Sequence, residues 1–444
     1  MHKVLVLGAG LVSRPIVCYF LDHEGFDLTV ATLRVEDAQK LIGDRANATA
    51  VAVDVTDTAQ VEQCVGSVDL VVSLVPFHLH AEVAKVAVAK RVHLVTTSYV
   101  SPAMRDLDAA ARDAGVLLLN ECGLDPGLDH MSAKRVIDAV HRDGGKIVEF
   151  ESCAGGLPAP DSANNPWRYK FSWSPRGALF AGTHAARYLR DGEIRDVPGP
   201  ELFDHAWPYE VDGLGAFEMY PNRDSMPYRD AYGLEHVESM LRGTIRYPGW
   251  SRAMKAVADL GLLELEVREL PQGSTYATLT AATLDPGDGP LQERVAQRLG
   301  LSSDDEVLER LAWVGLFDDD PVGATEAAPL DLLAARFAQR MAYGPGERDM
   351  VVIQHRFRVV TAEGRSEKHQ SQLIAYGDPD GFTATSRTVS WPAAIASRLV
   401  LEGRLNLTGV QIPTKREIYQ PILEQLKPLG IVFREWIVSS EETA

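Results

Sequence analysis

The stretch KVLVLGAGLVSRP, residues 3–15, constrains the fold more than any other part of the sequence. A short apolar run is followed by Gly8 and Gly10, and Pro15 falls in the first turns of an expected helix, where proline is tolerated because the early helical N–H groups have no intrahelical partner. The glycines allow a tight turn and let a pyrophosphate approach the backbone N–H groups at the helix amino end. The pattern predicts a dinucleotide-binding strand–turn–helix unit, with Ser13 in place of the usual third glycine.

Further apolar segments follow this unit at helix-length intervals. They are DLTVATLR (27–34), ATAVAVDVTD (48–57), VDLVVSLVP (68–76), RVHLVTTSY (91–99) and GVLLLNECG (115–123). Buried strands that alternate with helices form a parallel, doubly wound sheet, so we expect an α/β fold of the Rossmann type. The alternative is a glycine turn in some other α/β sheet.

The end of the predicted second strand indicates which dinucleotide is bound. NAD enzymes usually place an acidic residue there for the ribose hydroxyls. Here the strand ends in Thr32, Leu33 and Arg34, and the guanidinium of Arg34 could pair with the 2′-phosphate of NADP. NADP is therefore favoured, although NAD remains an alternative and Arg34 could simply be a solvent-exposed residue. Asp54 is expected beside the adenine.

Charge and cysteine usage exclude several classes of partner. The formal net charge of the 444 residues is −18, which argues against nucleic acid and anionic membranes because phosphate binding relies on a cationic surface. The cysteines have no metal-ligand spacing, so no metal is expected. A strand that begins at Lys3 leaves no room for a secretory leader, and the cytoplasm is the expected compartment. The cysteines are Cys18, Cys64, Cys122 and Cys153.

Basic and aromatic residues alternate in NPWRYKFSWSPRG, residues 165–177. Trp167, Tyr169, Phe171 and Trp173 fall on every second residue, which predicts a strand with an aromatic face toward the core. The same composition could suggest single-stranded nucleic acid, but the acidic chain disfavours that partner. We expect the stretch to form the wall of a pocket for a small anion.

Several longer runs carry a resemblance to a known family. They are TTSYVSPAMRDL, NECGLDPGLDH, GGLPAPDSANNPWRYKFSWSPRG, AFEMYPNRDS, LRGTIRYPGW, YGPGERDMVVIQHRF and LVLEGRLNLTGVQIP. In these runs the chain resembles the glutamate-forming saccharopine dehydrogenases, also called saccharopine reductases, of lysine metabolism. Enzymes that make homospermidine or carboxynorspermidine share the nucleotide half and a GGLP turn but are less similar elsewhere.

The resemblance implies a domain organisation. A Rossmann domain would comprise residues 1–124 and 391–444, and a mixed α/β domain for substrate binding and homodimer formation would comprise 125–250 and 345–390. Residues 251–344 would form a helical insert, in which Ser303 and Glu306 could make a capping box and LDLLAARFAQRM has helical periodicity. The three aspartates at 318–320 are expected in a solvated loop.

The resemblance also implies the reaction, in which saccharopine is interconverted with glutamate and 2-aminoadipate 6-semialdehyde by hydride transfer to or from NADP. Because saccharopine carries three carboxylates, convergent arginines are expected to bind it. Asp125 and Tyr99 would move or stabilise the proton. The implied substrate contacts are Ser98, Tyr99, Asp125, Arg223, Thr244, Ile245 and Arg246. The implied cofactor contacts are Gly8, Gly10, Leu11, Val12, Thr32, Leu33, Arg34, Asp54, Val55, Val75, Thr97, Ser98, Leu124, Asp125 and Ser174.

One departure from the family pattern concerns a possible catalytic thiol, while Ser390-Trp391 and the position of Arg34 also differ from the pattern of the relatives. The family has Cys-Gly-Gly before LPAP, whereas this chain has Ala154, Gly155 and Gly156, with Cys153 one position earlier. If the segment is a strand, Cys153 points to the opposite face, so any role of the family's thiol is in doubt here. His130, past the Gly-Leu-Asp-Pro-Gly turn, is expected to be structural. Two alternatives remain open: a related reductase of a carboxylated polyamine imine, and a nucleotide-binding protein without turnover.

Overall fold

The computed structural model describes residues 1–438 of the chain. Its strands are β1 (His2–Leu7), β2 (Phe26–Thr32), β3 (Ala48–Ala52), β4 (Leu70–Ser73), β5 (His93–Thr96), β6 (Leu117–Leu119), β7 (Lys146–Pro158), β8 (Ala186–Arg190), β9 (Glu193–Val197), β10 (Trp207–Val211), β11 (Gly215–Pro221), β12 (Ser239–Arg246), β13 (Arg268–Glu269), β14 (Glu326–Ala327), β15 (Asp349–Val360), β16 (Ser366–Tyr376), β17 (Gly409–Gln411) and β18 (Arg434–Val438).

The α-helices are α1 (Arg14–Asp22), α2 (Val35–Ile42), α3 (Thr58–Val65), α4 (His80–Lys90), α5 (Pro102–Arg105), α6 (Asp108–Ala114), α7 (Leu128–Arg142), α8 (Pro175–Ala181), α9 (Pro227–Tyr232), α10 (Trp250–Asp259), α11 (Tyr276–Ala281), α12 (Leu291–Leu299), α13 (Glu306–Val314), α14 (Pro329–Arg340), α15 (Ala384–Leu401) and α16 (Arg416–Leu426). Short 3-10 helices lie at Phe77–Leu79, Pro160–Ser162, Gly199–His205 and Lys427–Leu429.

The chain forms two compact units. The first contains residues 1–147 together with the segment that starts at Val359, and the second is Val148–Arg358. The sequence predicted a finer division into a nucleotide domain, a substrate domain and a helical insert, and that division stays a prediction. Its last segment, 391–444, extends into residues 439–444, which lie outside the described residues.

A parallel sheet forms the centre of the first unit. Within the described residues its strand order is β17-β6-β5-β4-β1-β2-β3, so the first six strands follow the order 3-2-1-4-5-6 that is typical of dinucleotide-binding domains. The strands are short and almost wholly apolar because helices cover both faces, as in other parallel sheets. Leu5, Leu7, Val71 and Leu94 contribute to one fully buried core cluster. The predicted α/β, doubly wound architecture is confirmed.

The glycine-rich turn after β1 has the predicted form. Gly8 has a φ of 111°, and a Cβ at this position would lie 2.8 Å from the backbone oxygen of Leu74, so only glycine fits. A Cβ at Gly10 would meet no atom within 4 Å. The N–H of Gly10 donates to the Oγ of Ser13 at 3.0 Å, and α1 begins at the next residue, with Pro15 in its first turn. The turn therefore leaves open space beside the start of α1.

A mixed sheet contains most of the remaining strands. In the described part of the chain its order is β10-β11-β12-β7-β15-β16-β18, and β8 pairs with both β12 and β9. Strands β12 and β7 run parallel, whereas β11 and β12 run antiparallel. Helices α10 to α14, with the two-residue pair of β13 and β14, occupy the segment expected to be a helical insert.

The predicted strand over residues 165–173 is wrong, and the expected alternation of buried aromatic and exposed polar residues holds only in part. Trp167, Tyr169 and Phe171 are all buried, yet the segment has no regular structure. Lys170 and Ser172 are buried as well, and Trp173 is half-buried. The Asn165 side chain donates to the Tyr169 carbonyl at 2.8 Å and accepts from its N–H at 3.3 Å, and Arg168 has a φ of 49°. Because a side chain satisfies these backbone groups, the segment turns instead of joining a sheet.

Two details of the insert also differ from the sequence prediction. The cap of α13 is Asp305, which accepts from the N–H of Val307, and Ser303 is not the cap. The aspartates at 318–320 are not merely solvated, because Asp318 and Asp320 pair with the buried guanidinium of Arg336 at 2.7 and 2.8 Å. The helix predicted from LDLLAARFAQRM is present as α14.

Candidate active site

The predicted cofactor contacts of the first unit lie where parallel strands end. Gly8 and Gly10 follow β1, Thr32 ends β2, Val75 follows β4, and Thr97 follows β5. The carboxyl ends of parallel strands meet at one edge of the sheet, which is where open α/β sheets bind ligands. Leu11, 66% exposed, and Val12 complete the turn between β1 and α1. The structure therefore brings these residues to one edge.

Arg34 stands at the amino end of α2, one residue past the exposed side chain of Leu33. Its side chain is 78% exposed, and its guanidinium pairs with Asp37 at 2.6 Å. An exposed ion pair of this kind contributes little, so a 2′-phosphate can compete for the guanidinium. The contact of Arg34 with the 2′-phosphate of NADP stays a prediction, with which this position and exposure are compatible.

Asp54, after β3, is held by its own loop. Its carboxylate accepts from the N–H of Thr56 at 2.9 Å and from the Thr56 hydroxyl at 2.7 Å. These hydrogen bonds lower the pKa of Asp54. The carboxylate is therefore ionised and oriented, with Val55 half-buried beside it.

Tyr99 and Asp125, the two predicted catalytic residues, are in direct contact. The Tyr99 hydroxyl donates to Oδ1 of Asp125 at 2.9 Å. The segment before Asp125 is attached to the end of β5, since the N–H of Glu121 donates to the Ser98 carbonyl at 3.0 Å. Leu124 lies in the same half-buried turn. The structure thus joins residues that are 26 positions apart in the sequence.

The turn that carries Asp125 depends on Gly127. This glycine has a φ of 148°, and a Cβ here would lie 2.1 Å from the backbone oxygen of Gly123. The peptide bond between Asp125 and Pro126 is cis. The N–H of Gly127 also donates to the Asp129 carboxylate at 2.6 Å. The backbone at Gly127 therefore packs directly against the backbone at Gly123, which fixes the position of Asp125 between them.

His130 is buried in α7, next to this turn. It has no exposed surface, and its Nε2 lies 2.8 Å from a carboxylate oxygen of Glu121. The other carboxylate oxygen of Glu121 accepts from the N–H of Val100 at 3.0 Å. The contacts connect α7 to the segment after β5, as expected for the structural role that the sequence suggested.

In the second unit, Arg246 at the end of β12 is enclosed by aromatic rings. It is 6% exposed, and its guanidinium carbon lies 5.0 Å from the ring centre of Tyr169 and 5.5 Å from that of Trp250. One guanidinium nitrogen donates to the Ile245 carbonyl at 2.8 Å. A desolvated cation over aromatic faces is stabilised by the ring quadrupoles. The aromatic part of residues 165–177 therefore helps to hold this arginine.

Arg223 lies in the connection between β11 and α9, with a φ of 56°. Its carbonyl accepts from the N–H of Arg187 at 3.0 Å, and the preceding Asn222 donates its N–H to the Arg242 carbonyl at 2.8 Å. Arg246 is four residues further along β12 than Arg242, which corresponds to about 13 Å of strand. Arg246 therefore lies at the end of β12, whereas the turn that carries Arg223 is hydrogen-bonded to β12 at Arg242.

The side-chain directions on β12 and β7 show whether Cys153 can replace the cysteine that the family has at position 154. Gly243 is paired with Cys153 and Thr244 with Ala154 in the parallel register. Because side chains alternate along a strand, Ala154 shares the face of Thr244, and Cys153 shares that of Ile245. Cys153 is fully buried. Its thiol therefore does not take the place of the family's cysteine.

Ser174, the predicted cofactor contact in the second unit, is the N-cap of α8. Its hydroxyl accepts from the N–H of Gly177 at 3.1 Å and it is solvent-exposed. Nearby cations that could have contributed to an anion pocket have internal partners. Lys170 is buried against Glu347, and Arg176 pairs with Asp331 at 2.6 Å.

Two buried residues near the predicted contacts were missed by the sequence analysis. Arg242 is 1% exposed, with its guanidinium carbon 4.6 Å from the ring centre of Tyr228. Its i, i+2, i+4 spacing with Thr244 and Arg246 could have revealed that the three share one face of β12. His80, at the start of α4, contacts Ser98, and no sequence signal indicates this because the contact depends on the packing of α4 against the sheet.

No cluster of side chains in residues 1–438 could hold a metal ion. None of the helices described is long and apolar enough to cross a membrane.

Comparisons with known proteins match nearly the whole chain. The saccharopine dehydrogenase NADP binding domain model matches residues 4–119, and the saccharopine dehydrogenase C-terminal domain model matches residues 123–431. The saccharopine dehydrogenase (NADP(+), L-glutamate-forming) of Pyricularia oryzae is 39% identical over 98% of this chain and 99% of its own. The Saccharomyces cerevisiae enzyme of the same name is 38% identical, with the same coverage. The apo structure of the L-Glu-forming yeast enzyme superposes with a TM-score of 0.87 at 36% sequence identity, covering 99% of this chain and 100% of that chain.

A sheet in the order 3-2-1-4-5-6 with a glycine-rich turn after its first strand defines a dinucleotide-binding Rossmann domain, and the matching NADP binding domain model and dehydrogenase relatives make the class an NADP-dependent oxidoreductase. The matching family models and the full-length relatives then specify the group within that class. The chain belongs to the saccharopine dehydrogenase family.

Proposed function

We propose that this protein is an NADP-dependent, L-glutamate-forming saccharopine dehydrogenase. The observation that carries the proposal is the likeness to curated enzymes of that name, which is 36–39% identity over essentially the full length of both chains. Conversely, the chain matches only 47% of the bovine alpha-aminoadipic semialdehyde synthase, with 37% identity. The reaction interconverts saccharopine and water with glutamate and 2-aminoadipate 6-semialdehyde, and NADP is the cofactor.

The residues of the first unit fit NADP. A Cβ at Gly10 would extend into open space beside the start of α1, so glycine leaves room there for a pyrophosphate. The Arg34 guanidinium is available for the 2′-phosphate, and Asp54 and Thr32 lie at the adjacent strand ends. The cofactor would supply the hydride chemistry at the carbon beside the substrate nitrogen, with NADP as the acceptor and NADPH as the donor. The protein orients the partners, excludes water and moves protons.

Asp125 and Tyr99 are assigned to the substrate nitrogen. The Tyr99 hydroxyl donates to one oxygen of Asp125 and so orients the carboxylate, which can bind the substrate's ammonium and accept its proton. The carbon beside a neutral amine gives up hydride more readily than the carbon beside an ammonium. The lone pair of the neutral nitrogen can form the C=N bond of the imine as hydride leaves. In the direction of saccharopine formation the same proton returns to the nitrogen.

Arginines of the second unit are assigned to the carboxylates of saccharopine. Arg246 is fixed by its aromatic surroundings, and Arg223 is presented by a turn, so the two can bind different carboxylates of one extended substrate. Thr244 and Ile245 precede Arg246 on β12, and Thr244 shares the face of Arg246. The acidic protein thus concentrates positive charge on β12 and the turn before α9.

Addition of saccharopine and NADP to the purified protein should increase the near-ultraviolet absorbance of NADPH, with a smaller response to NAD. Arg223→Ala should raise the KM for saccharopine about tenfold to a hundredfold while the Kd for NADP stays within twofold, because a charged hydrogen bond is lost. The matched control is Arg195→Ala on β9, whose guanidinium is exposed and pairs with Glu193.

The alternatives give different outcomes in the same assay. Oxidation of a carboxylated polyamine in preference to saccharopine would identify the related imine reductase. Saturable NADP binding without oxidation of either amine would identify a nucleotide-binding protein without turnover. An Arg223→Ala variant in which the Kd for NADP rises as much as the KM for saccharopine would contradict the assignment of Arg223 to the substrate.

We further propose a homodimer that acts in the cytoplasm in lysine metabolism. The family resemblance supports the homodimer, and the reducing cytoplasm is consistent with four free cysteines. Light scattering should give twice the chain mass of 48.6 kDa. A mass equal to one chain at micromolar concentration would contradict the homodimer.

A further inference from the structure

A buried histidine lies behind one of the predicted ligand contacts. His80, the first residue of α4, is 4% exposed. Its Nε2 lies 2.8 Å from the hydroxyl of Ser98, which follows β5. Its Nδ1 lies 2.8 Å from the hydroxyl of Ser73 at the end of β4 and 3.3 Å from that of Thr96 at the end of β5. The imidazole therefore connects two strand ends to the Ser98 hydroxyl.

The imidazole is neutral at physiological pH. Burial, with a smaller effect of the nearby His78, lowers the pKa of His80 to about 4. A neutral imidazole has one N–H donor and one nitrogen acceptor, so its two ring nitrogens cannot play the same role. Which nitrogen carries the proton is decided by the surrounding hydroxyls.

The hydroxyls of Ser73 and Thr96, on the buried side of the ring, indicate that Nδ1 is the acceptor nitrogen. The Ser73 hydroxyl is fully buried, and its only described hydrogen-bond partner is Nδ1 of His80. Thr96 already accepts from the N–H of Ser98 at 3.3 Å, which leaves its own proton to be donated. If Nδ1 carried the proton, the buried Ser73 proton would lose its acceptor, at a free-energy cost that native structures avoid. The proton is therefore on Nε2.

We propose that His80 is a positioning residue that makes the Ser98 hydroxyl an obligatory hydrogen-bond donor toward the bound ligands. The Nε2–H donates to the Ser98 oxygen, so the Ser98 proton must point away from His80, toward the edge where the strands end. A hydroxyl fixed in this way favours an acceptor oxygen over a donor. The inference rests on the proposed function, since it assumes that Ser98 contacts ligand.

The acceptor could come from either of two ligands. A carboxylate oxygen of saccharopine and an oxygen of NADP present the same chemistry to a donating hydroxyl. The effect on KM for saccharopine and the effect on Kd for NADP separate the two sources. An effect on kcat without any change in the KM for saccharopine or the Kd for NADP would overturn the proposal, because the Ser98 hydroxyl would then bind neither ligand.

Two amide variants of His80 form a matched pair. The side-chain nitrogen of Gln is as many bonds from the backbone as Nε2 of histidine, so His80→Gln can still donate to Ser98. The amide of Asn reaches only the Nδ1 position, so His80→Asn can satisfy Ser73 and Thr96 but not Ser98. His80→Asn should weaken the ligand that Ser98 binds about tenfold to a hundredfold, and His80→Gln should stay within about threefold of wild type.

A cycle with Ser98→Ala tests whether the effect runs through Ser98. The double variant His80→Asn/Ser98→Ala should be no weaker than Ser98→Ala alone, because the two residues act as one unit. Additive losses, or equal losses in His80→Gln and His80→Asn, would overturn the proposal. Thermal unfolding of each variant identifies losses that are due to misfolding.

The tautomer can also be observed without turnover. In protein labelled with ¹⁵N-histidine, ring-nitrogen shifts should show a protonated Nε2 and an unprotonated Nδ1 for His80, assigned by the loss of the signal in His80→Gln. A protonated Nδ1 would overturn the proposal even if the enzyme is fully active. Correct tautomer signals in a protein without saccharopine turnover would instead contradict the proposed function.

Discussion

The guanidinium of Arg246 is held by aromatic rings that come from two separate segments of the chain. The residue type and its motif indicated an arginine that binds a carboxylate. The aromatic residues Tyr169 and Trp250, which lie against its guanidinium, could not be assigned to it from the sequence. The contact with Tyr169 depends on the irregular turn at Arg168, and that turn is stabilised by the side-chain hydrogen bonds of Asn165, which outweigh the alternation typical of a strand.

The buried imidazole of His80 makes stability depend on pH. Its pKa is about 4 in the folded protein and 6.5 in the unfolded chain, so the unfolded chain binds more protons between these values. The contribution of His80 is complete above pH 6.5 and is lost as the pH falls toward 4. Between these pH values, wild-type unfolding free energy should fall by about 3 kcal/mol more than that of His80→Gln.

Urea unfolding monitored by circular dichroism at several pH values measures this difference. Because carboxylates titrate in the same range in both proteins, only the difference between the two curves reports on His80. Parallel curves for wild type and His80→Gln would show that the imidazole is not held neutral by burial.

Among the elements, the glycine-rich turn separates the requirements of folding from those of binding. Gly8→Ala should destabilise the protein by about 1–3 kcal/mol or more, because the residue has a positive φ and its Cβ would meet Leu74. Gly10→Ala should leave the melting temperature unchanged, since its Cβ meets no protein atom. It should nevertheless raise the Kd for NADP at least about tenfold, equivalent to about 1.4 kcal/mol.

Differential scanning fluorimetry and NADP titration of both variants test the distinction. Unchanged NADP affinity in Gly10→Ala would show that the pyrophosphate does not approach this part of the turn. A melting temperature lowered as much as in Gly8→Ala would show that the space beside Gly10 is filled by protein.

At the scale of elements, hydrophobic patterns that extend over a whole strand or helix were predictable from the sequence, whereas helix N-caps were not. The parallel strands of the first unit and helix α14 follow from hydrophobic periodicity, which reflects burial of a whole face. The cap of α13 was misassigned because Ser303 and Asp305 are both good caps, and the choice depends on where the chain leaves the preceding loop. The contact between Tyr99 and Asp125 was also beyond sequence reasoning, although each residue had been selected.

Considered as a whole molecule, the first unit is assembled from both ends of the chain. Helix α15 packs against α1, and the hydroxyl of Ser390 donates to the carbonyl of Val12 in the glycine-rich turn. Order imposed on that turn by NADP should therefore reach α15. The sequence predicted a return of the chain near Trp391 only through the family resemblance, because no local pattern links segments almost 380 residues apart.

Hydrogen–deuterium exchange can test this coupling. With NADP at 100 times its Kd, amides of the first unit that exchange through its unfolding should slow by about a hundredfold, in α15 as well as in α1. Helix α12 of the second unit serves as an internal reference. Protection confined to residues before 130 would show that α15 is independent of the cofactor-binding turn.

The alanine at position 154 has a practical consequence for inhibition. On the face of β7 that Ala154 shares with Thr244 there is a methyl group where the family pattern has a sulfur, and Cys153 is buried on the other side. Iodoacetamide or maleimide therefore has no nucleophile to attack at this position. Electrophilic inhibitors directed at the family's cysteine should therefore not inactivate this enzyme. The protein would be naturally resistant to that class of inhibitor.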